Sequence, residues 1–374
     1  MIQRSIKPRI ESWLFRGKVI ILYGARQVGK TTLAKEILAA FGEEGGYYNC
    51  EVQSIKSALA KEEPALLMKF IGDKRIVIFD EAQHIPNIGR ILKLLADTYP
   101  SLQVIATGSS SFSLANQTSE ALTGRAIQFV LYPFSYAELS GLYDPFQRLA
   151  QLDNYLVYGL YPDIVQASEE DGRVLLDELS SRYLYQDVLE FENLKRSDII
   201  FRLLQLLALQ IGSEVSLNEL ANTLQTNRRT IERYIDLLEQ AFVIFRLRSF
   251  SRNLRKEISK GFKVYFYDLG VRNSIIQQYQ PIESRADKGA IWENFLITER
   301  MKHLQQLQIR PNLYFWRTHQ KEEIDFVEEY NGQLTGYEFK WKAQKNRTPA
   351  SFLESYPGSV LRIIDRENFE DFVS

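Results

Sequence analysis

The sequence predicts an α/β protein in four parts: an N-terminal P-loop domain (1–141), a helical segment (142–195), a winged helix-turn-helix (196–262) and a C-terminal α/β domain (263–374). Three observations lead there. An apolar run, KVIILYG (18–24), opens into a glycine-rich loop and then a helical pattern. Two short amphipathic helical patterns between 217 and 239 precede a strand and a basic stretch. A third helical pattern (289–304) is followed by three strand-like runs, of which the last two are separated by Asn331-Gly332, a strong hairpin signal.

The first run is wholly apolar, as expected of a parallel strand buried on both faces. It leads into GARQVGKTT (24–32), in which Gly24, Gly29, Lys30 and Thr31 complete G-x-x-x-x-G-K-[ST] between a strand and a helix. Backbone N–H groups of such a loop curl around phosphate oxygens, and the following helix N-terminus adds positive potential. The candidate cradle for ATP is therefore Gly24, Ala25, Arg26, Gln27, Val28, Gly29, Lys30, Thr31 and Thr32. Lys30 is expected to reach the β- and γ-phosphates and Thr31 to ligate Mg²⁺. A second apolar strand, RIVIFDEAQ (75–83), ends in two carboxylates. Asp80 suits the Mg²⁺ shell, and Glu81 is placed to polarise the water that attacks the γ-phosphate.

A third strand, LQVIATGSSS (102–111), finishes in small polar residues. Ser109 or Ser110 either contacts the γ-phosphate or caps the next helix. Arg125, in LTGRAIQF, is a candidate arginine finger toward a neighbouring subunit; the alternative is ordinary surface charge.

The segment 142–195 carries aromatics and leucines at helical spacing, which reads as a packed lid or linker. Beyond it, Leu217, Leu220, Ala221 and Leu224 mark one helix, and Ile231, Tyr234, Ile235 and Leu238 a second. The strand AFVIFRLRSF (241–250) and a basic stretch complete a winged-helix plan, whose second helix enters the major groove of DNA. Asn227, Arg228, Arg229 and Arg233 would lie on the outer face of that helix, and Arg252, Arg255 and Lys256 would meet phosphates from the wing. The alternative use of a winged helix is as a protein–protein spacer.

The bulk composition adds limits. The chain has 374 residues, 45% hydrophobic and 25% charged, with a formal net charge of −1, so the overall balance predicts no polyanion partner. Its distribution says more: between Arg246 and Lys263 seven basic residues face one acid, Glu257. One cysteine, Cys50, rules out an internal disulfide, and His84, His303 and His319 are too scattered for a zinc site. No apolar run nears the roughly 20 residues that span a bilayer, so a cytoplasmic protein without a membrane partner is expected.

The ordered set GARQVGKTTL, FDEAQ, ATGSSS, LTGR and LYPFSYAEL (131–139), continued by YGLYPDIV (158–165) and FYDLG (266–270), resembles the bacterial and archaeal AAA+-type ATPases with a C-terminal domain of unknown function. The resemblance covers nearly the whole chain. Ala25 stands where that family usually has proline, a change that leaves the phosphate loop intact. The resemblance implies an ATPase joined to DNA-binding and nuclease-like modules, and self-association into a ring.

In the last third, helix, three strands, helix and strand follow one another, and Asp325…Glu338-x-Lys340 resembles the motif of PD-(D/E)XK nucleases, with Ile324 in place of the motif's proline. Glu293, on the inward stripe of the helix 289–304, matches the extra acid of that family. The resemblance implies a restriction-endonuclease-like fold in which Glu293, Asp325 and Glu338 hold Mg²⁺ or Mn²⁺ while Lys340 orients or deprotonates the attacking water. Two functions follow. One is an ATPase acting on DNA with an active nuclease attached. The other is an ATP-gated DNA- or protein-binding switch whose nuclease-like domain is inert.

Overall fold

The computed structural model describes residues 2–109, 122–180, 197–251, 261–318, 320, 322–342 and 350–374. The chain divides into two compact units, one built chiefly from Met1–Pro133 and the other chiefly from Phe134 onward.

The first unit is a five-stranded sheet: β1 (Val19–Tyr23), β2 (Gly45–Asn49), β3 (Ile76–Asp80), β4 (Gln103–Gly108) and β5 (Ala126–Val130) in the order β2-β3-β4-β1-β5. Every pairing is parallel, so all five carboxyl ends open on one edge. β1, β3 and β4 are buried at every position, which is why β1 reads as an unbroken apolar run and β3 as one up to Asp80. The helices Pro64–Ile71 and Ile88–Thr98 cover one face through Leu67, Ile71, Ile91, Leu92 and Leu95. β4 sits between β1 and β3. The loop after β1 and the acids after β3 therefore flank the end of β4, the switch-point position where open α/β sheets bind ligands.

The second unit is organised on a six-stranded mixed sheet: β6 (Ile244–Ser249), β7 (Phe262–Phe266), β8 (Asn312–Arg317), β9 (Glu323–Tyr330), β10 (Gln333–Phe339) and β11 (Val360–Ile364), ordered β11-β10-β9-β8-β6-β7. β9 and β10 form the expected hairpin. Asn331 (φ 51°) and Gly332 (φ 80°) both take the positive φ that a two-residue primed turn requires. Their register runs to Tyr337 opposite Phe326, which leaves Asp325 and Glu338 next to each other one step on. The helix Lys288–Leu307 is buried along most of its length, its own Trp292 and Phe295 in mutual ring contact with Phe369.

The helices Leu217–Thr223 and Arg228–Gln240 form where the periodicity places them. The strand after them does not stay with them alone. β6 pairs antiparallel with β7 and parallel with β8, so strands on both sides of the expected 262/263 boundary share one sheet. Ile244, Phe245 and Leu247 are buried there, and a strand with these side chains needs a sheet on which to bury them.

Two of the sequence motifs owe their residues to packing within this unit. The carboxylate of Asp268 (in FYDLG) accepts the backbone N–H of Leu160 at 2.7 Å and of Val271 at 3.1 Å, tying YGLYPDIV to the helix Leu269–Ile275. In LYPFSYAEL, Ser135 caps the helix Tyr136–Ser140 through a reciprocal box with Glu138. The buried pair Glu299–Lys302 (2.6 Å) holds the start of that helix, Glu299 accepting the Tyr136 N–H and Lys302 donating to the Phe134 carbonyl.

Candidate functional sites

At the carboxyl edge of the first sheet, Gly29 (φ 95°) caps the helix Lys30–Ala39 in the left-handed region, where glycine is the residue without a Cβ penalty. The Lys30 ammonium is 4% exposed and donates to the carbonyls of Gly24 (2.9 Å) and Ala25 (2.8 Å). The Thr31 hydroxyl donates to the Asp80 carboxylate at 2.9 Å. Asp80 also accepts from Tyr47 (2.6 Å) and Thr107 (2.6 Å). A hydroxyl and a carboxylate at this separation beside a phosphate loop suit the donor set of Mg²⁺. Thr31 and Asp80 would hold the ion, which would neutralise charge on the β- and γ-phosphates.

Glu81 follows with φ 51°, a strained backbone, and its N–H donates to the Thr107 hydroxyl at 3.1 Å. Its carboxylate accepts the Gln83 amide at 2.5 Å, and the same amide nitrogen donates to the Ser109 hydroxyl at 3.1 Å. Ser109 is thus tied to the candidate base through Gln83, while Ser110 lies outside the described residues. Sequence reasoning singled out neither Tyr47, Gln83 nor Thr107. Gln83 and Thr107 lie inside the motifs FDEAQ and ATGSSS, whereas Tyr47 on β2 carries no local signal.

Arg125 is not near this edge. Its carbonyl accepts the N–H of Val19, so it stands at the amino end of β1, whose five residues put it roughly 16 Å from the phosphate loop. Its guanidinium pairs with Asp97 at 2.6 Å.

The second unit brings Glu293 inward as expected, and puts unexpected residues beside it. The Glu293 carboxylate accepts from the Tyr265 hydroxyl at 2.5 Å and the Lys263 ammonium at 3.1 Å. Lys263 also pairs with Glu323 at 2.5 Å. Asp325 accepts the N–H of Phe339 at 2.8 Å, and Lys340 donates to Glu338 at 2.8 Å. The other Glu338 oxygen, Oε1, is buried without a hydrogen-bond partner. Burial raises the pKa of Glu293, Asp325 and Glu338 alike; the charge of Asp325 adds to the shift of the other two. The fit to a metal is incomplete. The orphaned oxygen invites a cation, but among the described residues no three His, Cys, Asp or Glu side chains stand together as a metal-holding group. Glu293 already carries an ammonium.

Burial, opposed by Lys263 and Tyr265, lifts Glu293 from 4.5 to about 7. The folded chain then keeps a proton that the unfolded chain releases, and this stabilisation is complete below pH 4.5 and lost as the pH rises through about 7. Glu293→Gln removes the titration. In urea melts across that window, the variant's stability should fall less steeply with pH than the wild type's, by up to about 1.4 kcal/mol per pH unit. An unchanged slope would show that Glu293 does not hold this proton.

On the helix Arg228–Gln240, Arg228, Arg229 and Arg233 are exposed, as the periodicity requires. Asn227 instead caps the helix, its side-chain oxygen accepting the Thr230 N–H at 2.9 Å. Arg252, Arg255 and Lys256 lie outside the described residues. Two cations of the basic stretch are taken up by acids: Arg246 pairs with Asp236 and Glu239, and Lys263 with Glu293 and Glu323. Among the described residues no helix is long and apolar enough to cross a membrane.

Residues 16–140 match the family described as AAA domain. Residues 149–281 match the Domain of unknown function (DUF8612), and residues 288–364 the Domain of unknown function (DUF4143). An uncharacterized protein of Mycobacterium tuberculosis is 29% identical over 90% of this chain and 74% of its own length. An uncharacterized protein of Haemophilus influenzae is 24% identical over 82% of this chain and 78% of its own. Among solved structures, the Aeropyrum pernix ORC1 protein in complex with DNA aligns over 74% of this chain and 93% of its own, with 15% identity and a TM-score of 0.34. The Thermotoga maritima RuvB Holliday junction branch migration motor aligns over 69% and 95%, with 17% identity and a TM-score of 0.35. The family match and the loop–helix geometry together make the first unit an AAA-type P-loop domain.

Proposed function

We propose that this chain is a Mg²⁺-dependent ATP hydrolase of the AAA+ type that acts on DNA. The observation that carries the ATPase reading is the Thr31 hydroxyl held 2.9 Å from the Asp80 carboxylate, one residue before Glu81. Lys30 would leave the loop carbonyls to meet the β- and γ-phosphates, Thr31 and Asp80 would hold the ion, which would neutralise phosphate charge, and Glu81 would draw the proton from the attacking water. Gln83 orients Glu81 and reports through Ser109 on the region of the γ-phosphate. Contact with DNA is assigned to Arg228, Arg229 and Arg233 on one exposed helix face, with Arg252, Arg255 and Lys256 adding phosphate contacts.

The test is phosphate release from ATP by the purified chain, with and without Mg²⁺ and across single-stranded, duplex and branched DNA. Mg²⁺-dependent turnover accelerated by DNA supports the proposal. Turnover indifferent to every DNA form would remove DNA from it. Replacing Arg228 and Arg229 with alanine should weaken DNA binding. It should also relax any sequence preference, by about 1–3 kcal/mol for each arginine that reads a base edge, measured by competition between sequences. Unchanged affinity would assign this helix to a protein partner.

A second reading is an ATP-gated binding switch whose nuclease-like part does not cut. The ammonium already lodged against Glu293 favours it.

A further inference from the structure

We propose that the ammonium of Lys263 is the resident cation between Glu293 and Glu323, with Asp325 nearby, and that it keeps a divalent ion from binding there. The proposal goes beyond the non-cutting reading of this region and is independent of the ATPase reading.

Lys263 reaches the cluster from β7, distant in sequence from each acid it meets. Its side chain is 3% exposed. An ammonium at that depth needs anions around it, and it finds the carboxylates of Glu293 at 3.1 Å and Glu323 at 2.5 Å. Burial alone would depress its pKa; Glu293, Glu323 and the nearby Asp325 outweigh that and hold the group charged. The Tyr265 hydroxyl lies on the same Glu293 oxygen as the ammonium, and the ring of Phe315 lies 5.4 Å from it, so the charge is enclosed by donors, acids and an aromatic wall.

Glu338, with one oxygen on Lys340 and the other without a partner, and Asp325, bound through one oxygen to the Phe339 N–H, remain as acids not paired to Lys263. Two carboxylates are few for a hard divalent ion, which takes six or more oxygens and uses added anionic ligands to gain affinity. The acid that would make a third, Glu293, already holds the Lys263 ammonium on one oxygen. A fixed positive charge beside the pair opposes a second cation. Removing Lys263 should therefore turn this place into a divalent-cation site rather than only weaken the fold.

The experiment titrates Mn²⁺ into the full chain without nucleotide and reads free Mn²⁺ by electron paramagnetic resonance. Lys263→Met should gain one Mn²⁺ site at least roughly tenfold tighter than any that the wild type shows, the scale on which a neighbouring like charge acts. That gain should vanish in Lys263→Met with Asp325→Asn. Affinity no tighter than wild type, or a gain that survives Asp325→Asn, would overturn the proposal. If Lys263→Met folds poorly, thermal melts decide: Mn²⁺ should raise its melting temperature and leave the wild type's unchanged. A wild-type melt raised by Mn²⁺, with the rise lost in Asp325→Asn, would equally overturn it.

Discussion

Lys30→Ala is expected to abolish ATP binding, and Glu81→Gln to retain it while turning over about 10²- to 10⁴-fold more slowly, the usual worth of a positioned base. The two variants separate because their groups meet different parts of the reaction. In the proposed reaction Lys30 supplies a charge to the phosphates in the ground state as well as later. It is 4% exposed inside the loop, so alanine also leaves the carbonyls of Gly24 and Ala25 without their donor. The Glu81 side chain bonds Gln83, whereas the ion's donors are the Thr31 hydroxyl and the Asp80 carboxylate, so an amide in its place leaves those donors intact. Calorimetry reads the first effect, and phosphate release at saturating ATP the second. Wild-type ATP affinity in Lys30→Ala would remove the phosphate-loop assignment. Wild-type turnover in Glu81→Gln would remove Glu81 as the base and leave Asp80 or a group outside the described residues to find.

The second large effect is on folding. A Cβ at Gly270 would stand 2.0 Å from the Tyr158 carbonyl oxygen and 2.5 Å from its carbon, both backbone atoms. Moving either breaks the seam at which Asp268 receives the N–H groups of Leu160 and Val271, and at which the buried Asn273 side chain reaches the carbonyls of Leu156 and Val157. Gly270→Ala should therefore cost about 4 kcal/mol or more, a magnitude reached by only a few mechanisms, of which a steric clash joined to unpaired buried groups is one. Gly289→Ala is the control. It lies in a helix with nothing within 4 Å of the added carbon, and should be neutral or stabilising by up to about 1 kcal/mol. Equal urea midpoints for Gly270→Ala and wild type would show that the seam yields at little cost.

The features legible in the sequence were those whose physics is local. The apolar run 18–24, the loop 24–32 and the helix behind it follow from burial of a parallel strand, glycine backbone freedom and helix propensity, each set by neighbours a few residues away. The same holds for the Asn331-Gly332 turn, for the inward face of the helix Lys288–Leu307 that carries Glu293, and for the exposed arginines at 228, 229 and 233.

Partnership across the chain was not legible. Arg246 and Lys263 counted as a basic surface in the sequence, but Lys263 is buried among acids that lie 30 and 60 residues away in the chain. Asp80 draws hydroxyls from Thr31, Tyr47 and Thr107, which a helix and two different strands deliver to one edge. Arg125 stands at the edge away from this chain's own phosphate loop, a placement that strand direction decides and the motif LTGR does not show. Periodicity and turn chemistry act over a few residues, so the sequence by itself determined where strands, helices and the phosphate loop form. Charge pairing and desolvation depend on which side chains meet after the sheet is assembled, and strand order and direction are chosen by burial of the whole face. Only the tertiary structure could therefore decide that one acid in the C-terminal cluster already has its cation.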